Sequence, residues 1–426
     1  MKSCHHDMRL DSVCIIFTCT DHEKQEELKE LVTACEKEVV HTFYQDVKSI
    51  SFRTYIGSGK VEEINSFLQK ETVDYVLFDV DLSPLQIRNL ETTWNITVMD
   101  RSDLILTIFE QRAQTKVAKL QIESAKLKKL LPRLIGSHTQ LSRQAGGKNK
   151  GSGETQLELD RRRTKARIHE IKKELLNIQK ERATQRKRRL KQELPCVALV
   201  GYTNAGKSTL MNAFLNYAHQ QDYKKVFQKD MLFATLDTTI RRIQIKHYPP
   251  FLLSDTVGFV SDLPHDLIEA FHSTLEEMTY ADLLIQVVDA SNENLSMQQE
   301  VTQRVLHDIQ ADHIPMITIY NKCDKTSLPY PRIVQDHVYM SAIEPTSFEA
   351  LFDLIHQKLN PDHTIYELVL PYEQSAILSY FIKQRKVIDY THKEDGIHLQ
   401  ALLSKEDSIL YKKYIQKKLD YLLTFN

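Results

Sequence analysis

The sequence has no apolar run approaching the roughly 20 residues that cross a bilayer, and residues 1–10 lack the hydrophobic core of a signal peptide. We therefore expect a cytoplasmic protein without a membrane span. Cysteine is scarce as well, and the six cysteines lie scattered without CxxC spacing. This argues against a disulfide framework and against a zinc site. The formal net charge is only -1, so charged partners have to be sought in individual segments.

The chain of 426 residues exceeds one typical domain, and its patterns predict a multidomain α/β protein. Residues 1–102 alternate short apolar runs with amphipathic stretches, as a small α/β domain does. Residues 103–193 are predicted to be helical. Residues 194–361 alternate strands and helices, which predicts a domain with a mostly parallel sheet. Residues 362–426 predict a small α+β domain with one strand, a helix, two short strands and a final helix.

Two helices are predicted within residues 103–193, and we expect them to pair as an antiparallel hairpin. The first should end or kink at Pro132, because proline removes a backbone donor. Its apolar residues fall on heptad-like positions, namely Val117, Leu120, Leu127, Leu131 and Leu134. The second helix, over residues 155–191, repeats apolar residues at three- and four-residue spacing, namely Ile168, Ile171, Leu175 and Ile178.

The tip of this hairpin concentrates glycine, which is scarce elsewhere. Five of the eleven glycines lie between residues 136 and 153, where Arg143, Lys148 and Lys150 add positive charge. Residues 156–193 hold 14 Lys or Arg against 6 Asp or Glu, a balance of +8. Such a rod suits a nucleic-acid phosphate backbone, and the basic tip favours RNA. The alternative is a solvated helical spacer.

A phosphate-binding loop is predicted where an apolar strand meets a helix. It reads Gly201-Tyr202-Thr203-Asn204-Ala205-Gly206-Lys207-Ser208 and follows Val197-Ala198-Leu199-Val200. Its glycines let backbone N–H groups close around a β-phosphate at a helix N-terminus. Lys207 is a predicted catalytic residue that supplies charge to the β- and γ-phosphates, and the Ser208 hydroxyl is a predicted Mg²⁺ ligand.

Two further segments complete the predicted phosphate site. Asp255-Thr256-Val257-Gly258 follows a strand, so Asp255 can hold a Mg²⁺-bound water and the Gly258 amide can meet the γ-phosphate. Phe233-Ala234-Thr235-Leu236-Asp237 lies where a switch loop is expected, and the Thr235 hydroxyl can reach Mg²⁺. On spacing alone, Thr238 and Thr239 compete with Thr235 for that role.

Selection of the base is assigned to Asn321-Lys322-Cys323-Asp324, which follows an apolar run at 316–320. The Asp324 carboxylate can accept two hydrogen bonds from guanine N1–H and N2–H₂, and adenine offers no such pair. Ser341-Ala342-Ile343 can offer a backbone N–H to guanine O6. Four ordered motifs at strand ends exclude a dehydrogenase or a kinase, and they predict a GTPase that binds GTP and GDP.

The catalytic water is harder to assign, because Phe259 stands where many GTPases have a water-orienting Gln. Phe cannot polarise water. We therefore hypothesise slow intrinsic turnover that a partner or a neighbouring loop accelerates. Asn204 adds a second hypothesis, since its side-chain oxygen can help to hold a K⁺ ion near the phosphates.

Over nearly its whole length the chain resembles the HflX family of translational GTPases, which are bacterial ribosome-associated factors. The resemblance rests on Tyr55-Ile56-Gly57-Ser58-Gly59-Lys60-Val61, on Gly153-Glu154-Thr155-Gln156-Leu157-Glu158, and on residues 201–210 and 255–260. It implies Mg²⁺ ligation by Ser208 and Thr235, with Thr235 and Gly258 joining Lys207 in catalysis. It also implies binding to the large ribosomal subunit, with the hairpin loop reaching rRNA, and splitting of stalled or idle ribosomes.

The tip departs from the family pattern, because Lys150 and Ser152 stand where the family usually has Arg and Pro. Lys keeps the charge but loses the planar fork that stacks on bases, so the resemblance implies ribosome binding more directly than splitting. Two other functions stay open. One is an RNA-binding or ribosome-assembly module in which nucleotide is mainly structural. The other is a tRNA-modifying GTPase, which shares the Asn204-bearing loop, but the sequence shows no cysteine-based catalytic motif at the C-terminus to support it. We expect a monomer.

Overall fold

The structure is a computed structural model. It describes residues 10–136, 152–190, 194–218, 239–245, 248–256, 258–259, 278–292, 294–344, 348–383 and 387–419. Contacts divide the chain into two units, one formed mainly by residues 1–184 and the other mainly by the residues that follow. Each unit is described in turn.

The first unit begins with a four-stranded parallel sheet in the order β2-β1-β3-β4. Its strands are β1 (Asp11–Phe17), β2 (Lys37–Tyr44), β3 (Tyr75–Phe78) and β4 (Thr97–Met99), and its helices are α1 (His22–Ala34), α2 (Ser58–Leu68) and α3 (Pro84–Trp94). In β1 six consecutive residues are buried, which explains its unbroken apolar run. Ser83 and Gln86 form a capping box at the start of α3, and this local motif determines where the helix begins.

Three helices follow in this unit: α4 (Arg101–Arg112), α5 (Lys116–Gly136) and α6 (Ser152–Leu190). Of the two outcomes predicted at Pro132, an end or a kink of the helix, the end does not occur, since α5 continues to Gly136. Arg133, just beyond the proline, donates to Asp103 of α4 at 2.8 Å, so a tertiary ion pair holds the last turn. Within the described residues, no helix combines the length and apolarity that a membrane crossing requires.

The antiparallel pairing of the two long helices is confirmed by ion pairs between them. Lys116 of α5 contacts Glu174 of α6 at 3.0 Å, and Glu123 of α5 accepts from Arg167 of α6 at 2.7 Å. From Lys116 to Glu123 the chain advances seven residues along α5, while their partners, Glu174 and Arg167, step back seven residues along α6, as an antiparallel pair requires. Ile171 is fully buried, which identifies the side of α6 that packs.

The second unit contains a seven-stranded sheet in the order β10-β11-β9-β8-β5-β7-β6. Only β6 and β10, at its two edges, run antiparallel to their neighbours. The strands are β5 (Cys196–Gly201), β6 (Thr239–Ile243), β7 (Phe251–Asp255), β8 (Leu283–Asp289), β9 (Met316–Asn321), β10 (Arg332–Val334) and β11 (His337–Tyr339), and the helices are α7 (Lys207–Tyr217), α8 (Leu295–Asp308) and α9 (Phe348–Leu359). Phe214, Phe251 and Phe352 centre a core between α7, α9 and the sheet.

The chain then forms an antiparallel sheet in the order β13-β14-β12-β15. Its elements are β12 (His363–Leu370), α10 (Ser375–Lys383), β13 (Val387–Lys393), β14 (Gly396–Ser404), α11 (Lys405–Leu410) and β15 (Ile415–Leu419). The predicted final helix is wrong beyond α11, because Ile415–Leu419 adds a strand to β12. Pairing with an open edge outweighs the local helical pattern. The multidomain α/β fold class is confirmed, and the boundaries at residues 102, 193 and 361 stay predictions.

Candidate nucleotide-binding site

The loop between β5 and α7 adopts a conformation that its glycines make possible. Gly201 and Gly206 have φ values of 138° and 95°. A Cβ on Gly201 would lie 2.3 Å from the Val287 carbonyl oxygen, and one on Gly206 would lie 2.2 Å from Nδ2 of Asn321. Only glycine fits at either position. The loop therefore curls tightly ahead of the N-terminus of α7, as phosphate binding requires.

Lys207 is the first residue of α7 and lies under this loop, with 6% of its surface exposed. Its Nζ donates to the carbonyl oxygens of Gly201 at 3.0 Å and Tyr202 at 2.7 Å. Burial lowers the pKa of Lys207 to about 8, and Asp255 partly opposes that shift. An ammonium has three protons, so one remains for an anion, and a bound phosphate would favour the charged form.

Ser208 and Asp255 form the predicted Mg²⁺ corner. The Ser208 hydroxyl donates to Oδ2 of Asp255 at 2.9 Å, and Asp255 ends β7 fully buried. Next to it, the Thr256 hydroxyl donates to the Leu199 carbonyl at 2.5 Å, which fixes β7 against β5. A hydroxyl beside a carboxylate suits Mg²⁺, which takes few protein oxygens and completes its shell with phosphate and water. The described residues contain no cluster of three or more His, Cys, Asp or Glu that could hold a metal ion.

Gly258 and Phe259 lie against the phosphate loop. Phe259 donates its N–H to Gly201 O at 3.1 Å and accepts from Thr203 N at 2.7 Å. Its side chain is 1% exposed. A Cβ on Gly258 would lie 2.9 Å from the Thr203 Cα and 2.9 Å from Lys207 Nζ, so glycine lets this segment lie close to the backbone of the phosphate loop. The sequence showed only that Phe259 stands in place of Gln. Phe259 anchors the phosphate loop through backbone hydrogen bonds between segments that are distant in the chain, which the sequence does not show.

Asn321 ties three loops together. This residue is 2% exposed, and its Nδ2 donates to Ala205 O of the phosphate loop at 2.9 Å. Its Oδ1 accepts from Ala342 N at 2.9 Å. The Ser341 hydroxyl donates to Oδ1 of Asp324 at 2.6 Å, which orients that carboxylate. The predicted base-binding segments and the phosphate loop are thus joined in one network.

The other residues of these segments take different positions. Cys323 is buried, and its N–H donates to Met340 O at 3.2 Å. Lys322 forms an ion pair with Asp289 at 2.7 Å. Asp289, at the end of β8, was not among the sequence-predicted residues, although an acidic residue at a strand end is a signal that could have found it. Asp324 is exposed and Ile343 is 71% exposed, so a base would have to cover the Asp324 carboxylate to desolvate it.

Some predicted residues lie outside the described part of the chain. They are Phe233, Ala234, Thr235, Leu236, Asp237 and Val257, together with Thr238 and residues 137–151 of the hairpin tip. Thr239 is the first residue of β6, where its backbone pairs with Asp255. The choice of Thr235 as a Mg²⁺ ligand therefore stays a prediction.

A strand, a glycine-bounded loop and a helix that begins with a buried lysine define a P-loop nucleotide-binding protein. The Asn321–Asp324 segment, tied to that loop, places it among the GTPases. Three family models match consecutive parts of the chain: "GTP-binding GTPase N-terminal" at residues 22–110, "GTP-binding GTPase Middle Region" at 112–189 and "50S ribosome-binding GTPase" at 196–322.

Relatives extend over almost the full chain. A "GTPase HflX" of Caldanaerobacter subterraneus is 40% identical over 395 residues, covering 92% of this chain and 90% of the relative. The "GTPase HflX" of Escherichia coli is 38% identical over 411 residues, covering 95% of each. A crystal structure of a GTP-binding protein from Sulfolobus solfataricus in complex with GDP is 25% identical, covers 82% of this chain and 99% of that one, and has a TM-score of 0.43.

The chain belongs to the GTPase HflX family, as its motifs predicted. It is a GTPase that binds GTP and GDP.

Proposed function

We propose that this GTPase binds the large ribosomal subunit in a GTP-controlled manner and dissociates stalled or idle ribosomes. One observation carries the proposal: the family model that matches its nucleotide domain, over residues 196–322, is described as a 50S ribosome-binding GTPase. The rRNA is the proposed direct partner, and the protein would be ribosome-associated in the cytoplasm.

The geometry of α6 supports RNA binding. This helix has 39 residues, which at about 1.5 Å per residue extends to about 58 Å. Arg162, Lys173 and Lys180 are exposed and recur at helical spacing on the side of α6 opposite the buried Ile171. One side of α6 therefore packs against α5 while the other presents positive charge. A positively charged side suits binding to a phosphate backbone, whereas a solvated spacer would not require it.

In the proposed nucleotide site, Lys207 binds the β- and γ-phosphates and the Gly258 amide donates to the γ-phosphate. Ser208 and Thr235 would ligate Mg²⁺, which when bound neutralises charge that develops on the phosphates. Asn204 would help to hold K⁺. The Asp324 carboxylate, oriented by Ser341, would accept from guanine.

GTP control would come from the segment around Gly258. Gly258 already lies against Lys207, so there is little space between these two residues for the γ-phosphate that both are proposed to bind. Binding and hydrolysis of GTP would therefore move this segment and, with it, change affinity for the ribosome.

Co-sedimentation with purified large ribosomal subunits tests the proposal, in the presence of a non-hydrolysable GTP analogue, GDP or an ATP analogue. We expect pelleting that the GTP analogue favours. Equal pelleting with every nucleotide would instead support an RNA-binding module in which nucleotide is structural, and no pelleting would refute ribosome binding.

A charge-reversal pair tests the role of α6. The variant K172E/K173E should weaken pelleting while GDP affinity stays unchanged, because both lysines are exposed on α6. The matched control K48E/K70E reverses two exposed lysines outside α6, and it should pellet like the unmodified protein.

A further inference from the structure

Hydrolysis needs a group that holds the attacking water, and Phe259 does not provide one. Its side chain is 1% exposed, and both its N–H and its carbonyl oxygen are engaged with the phosphate loop. The position after Gly258 therefore anchors the loop and presents no polar side chain to a γ-phosphate.

Thr203 is the polar side chain next to this place. It is the third residue of the phosphate loop and is 5% exposed. Its Cγ2 and Cα lie 2.7 Å and 2.9 Å from a Cβ built on Gly258, and Lys207 Nζ lies 2.9 Å from the same point. Thr203, Gly258 and Lys207 are thus packed against one another, and the γ-phosphate end of the substrate would be received beside them.

The Thr203 hydroxyl has no hydrogen-bond partner among the residues that the structure describes. A buried hydroxyl without a partner destabilises the fold, so such a group calls for a function. A hydroxyl can donate one hydrogen bond and accept two, which suits a group that orients water. Thr203 also keeps its backbone fixed, because its N–H donates to Phe259 O.

We propose that Thr203 is a further catalytic residue, whose hydroxyl hydrogen-bonds the water that attacks the γ-phosphate. The proposal rests on the proposed nucleotide site. The water oxygen forms a bond to the γ-phosphorus as the bond from that phosphorus to the β–γ bridging oxygen breaks. The proton of the water passes to a γ-phosphate oxygen, so GDP and inorganic phosphate are the products. Thr203 itself neither gains nor loses a proton.

Two substitutions separate the hydroxyl from the packing around it. T203V keeps the branched shape without the hydroxyl, and T203S keeps the hydroxyl with less volume. Single-turnover hydrolysis at saturating GTP should slow at least about tenfold in T203V, as expected when one hydrogen bond to a reacting group is lost. T203S should stay within about threefold of the unmodified protein, and the Kd for GDP should change less than about threefold in both.

The control is T302V, which removes a hydroxyl from another buried threonine, one that donates to Gln298 O inside α8. Its hydrolysis rate should not change. An unchanged rate in T203V, or an equal loss in T203V and T203S, would overturn the role of the hydroxyl. If T203V fails to fold, the comparison of T203A with T203S decides in the same way. Failure of the unmodified protein to bind GDP would instead refute the nucleotide site.

Discussion

Replacing Asn321 with alanine should destabilise the nucleotide domain and weaken nucleotide binding together. The Asn321 side chain satisfies two buried backbone groups, the carbonyl oxygen of Ala205 and the N–H of Ala342, both at 2.9 Å. A buried polar group that loses its partner costs about 1–3 kcal/mol, so the free energy of unfolding should fall by about 2–6 kcal/mol. That is a large part of the about 5–15 kcal/mol that holds a typical domain.

The same substitution should lower GDP affinity, because it separates the phosphate loop from the segment proposed to bind the base. Thermal unfolding with and without GDP measures both effects, since the shift in Tm on adding ligand reports its affinity. The control N292A removes an exposed asparagine that accepts from Asn294 N at 2.8 Å, and it should be close to neutral. If N321A matched N292A in stability and in GDP affinity, the network would have no such role.

Three other predictions concern different parts of the second unit. Burial lowers the pKa of His356 to about 3; since the unfolded chain binds more protons below about pH 6.5, stability should be full above that pH and fall as pH drops towards 3. H356F removes the titrating imidazole but keeps a ring that can stack on Tyr248, so it should flatten this pH dependence in acid-unfolding curves. An unchanged slope would refute the assignment of the pH dependence to His356. D324N should weaken GTP binding at least about tenfold and let other nucleoside triphosphates compete with GTP in binding assays. Unchanged affinity and selectivity would show that Asp324 does not recognise guanine. G258A should impair binding of a GTP analogue more than of GDP, because its Cβ would lie 2.9 Å from Lys207 Nζ, beside the proposed γ-phosphate position. Equal effects on the two nucleotides would argue against that position.

Local patterns predicted the parts of the fold that local chemistry determines. The phosphate loop could be read from the sequence, because two glycines, a lysine and a serine at fixed spacing follow an apolar strand and precede a helix. The antiparallel helix pair could be read from apolar spacing in the same way. In both cases the residues that matter are close together in the chain.

Contacts between distant residues could not be predicted in this way. Ile415–Leu419 forms a strand because β12 offers an open edge about 50 residues earlier in the chain, and no local signal reports that edge. Asn321 was expected to contact nucleotide, but its hydrogen bonds to Ala205 and Ala342 depend on where three loops meet. Phe259 was noted only for the Gln it replaces, since its pairing with Gly201 and Thr203 exists only in the folded chain.

The most direct test of the central proposal follows the light scattering of intact ribosomes after the protein is added with a non-hydrolysable GTP analogue, GDP or no nucleotide. We predict that scattering falls with the GTP analogue, as ribosomes separate into subunits, and stays constant with GDP. Scattering that does not fall with the GTP analogue, or that falls equally with GDP, would contradict a GTP-controlled factor that dissociates ribosomes.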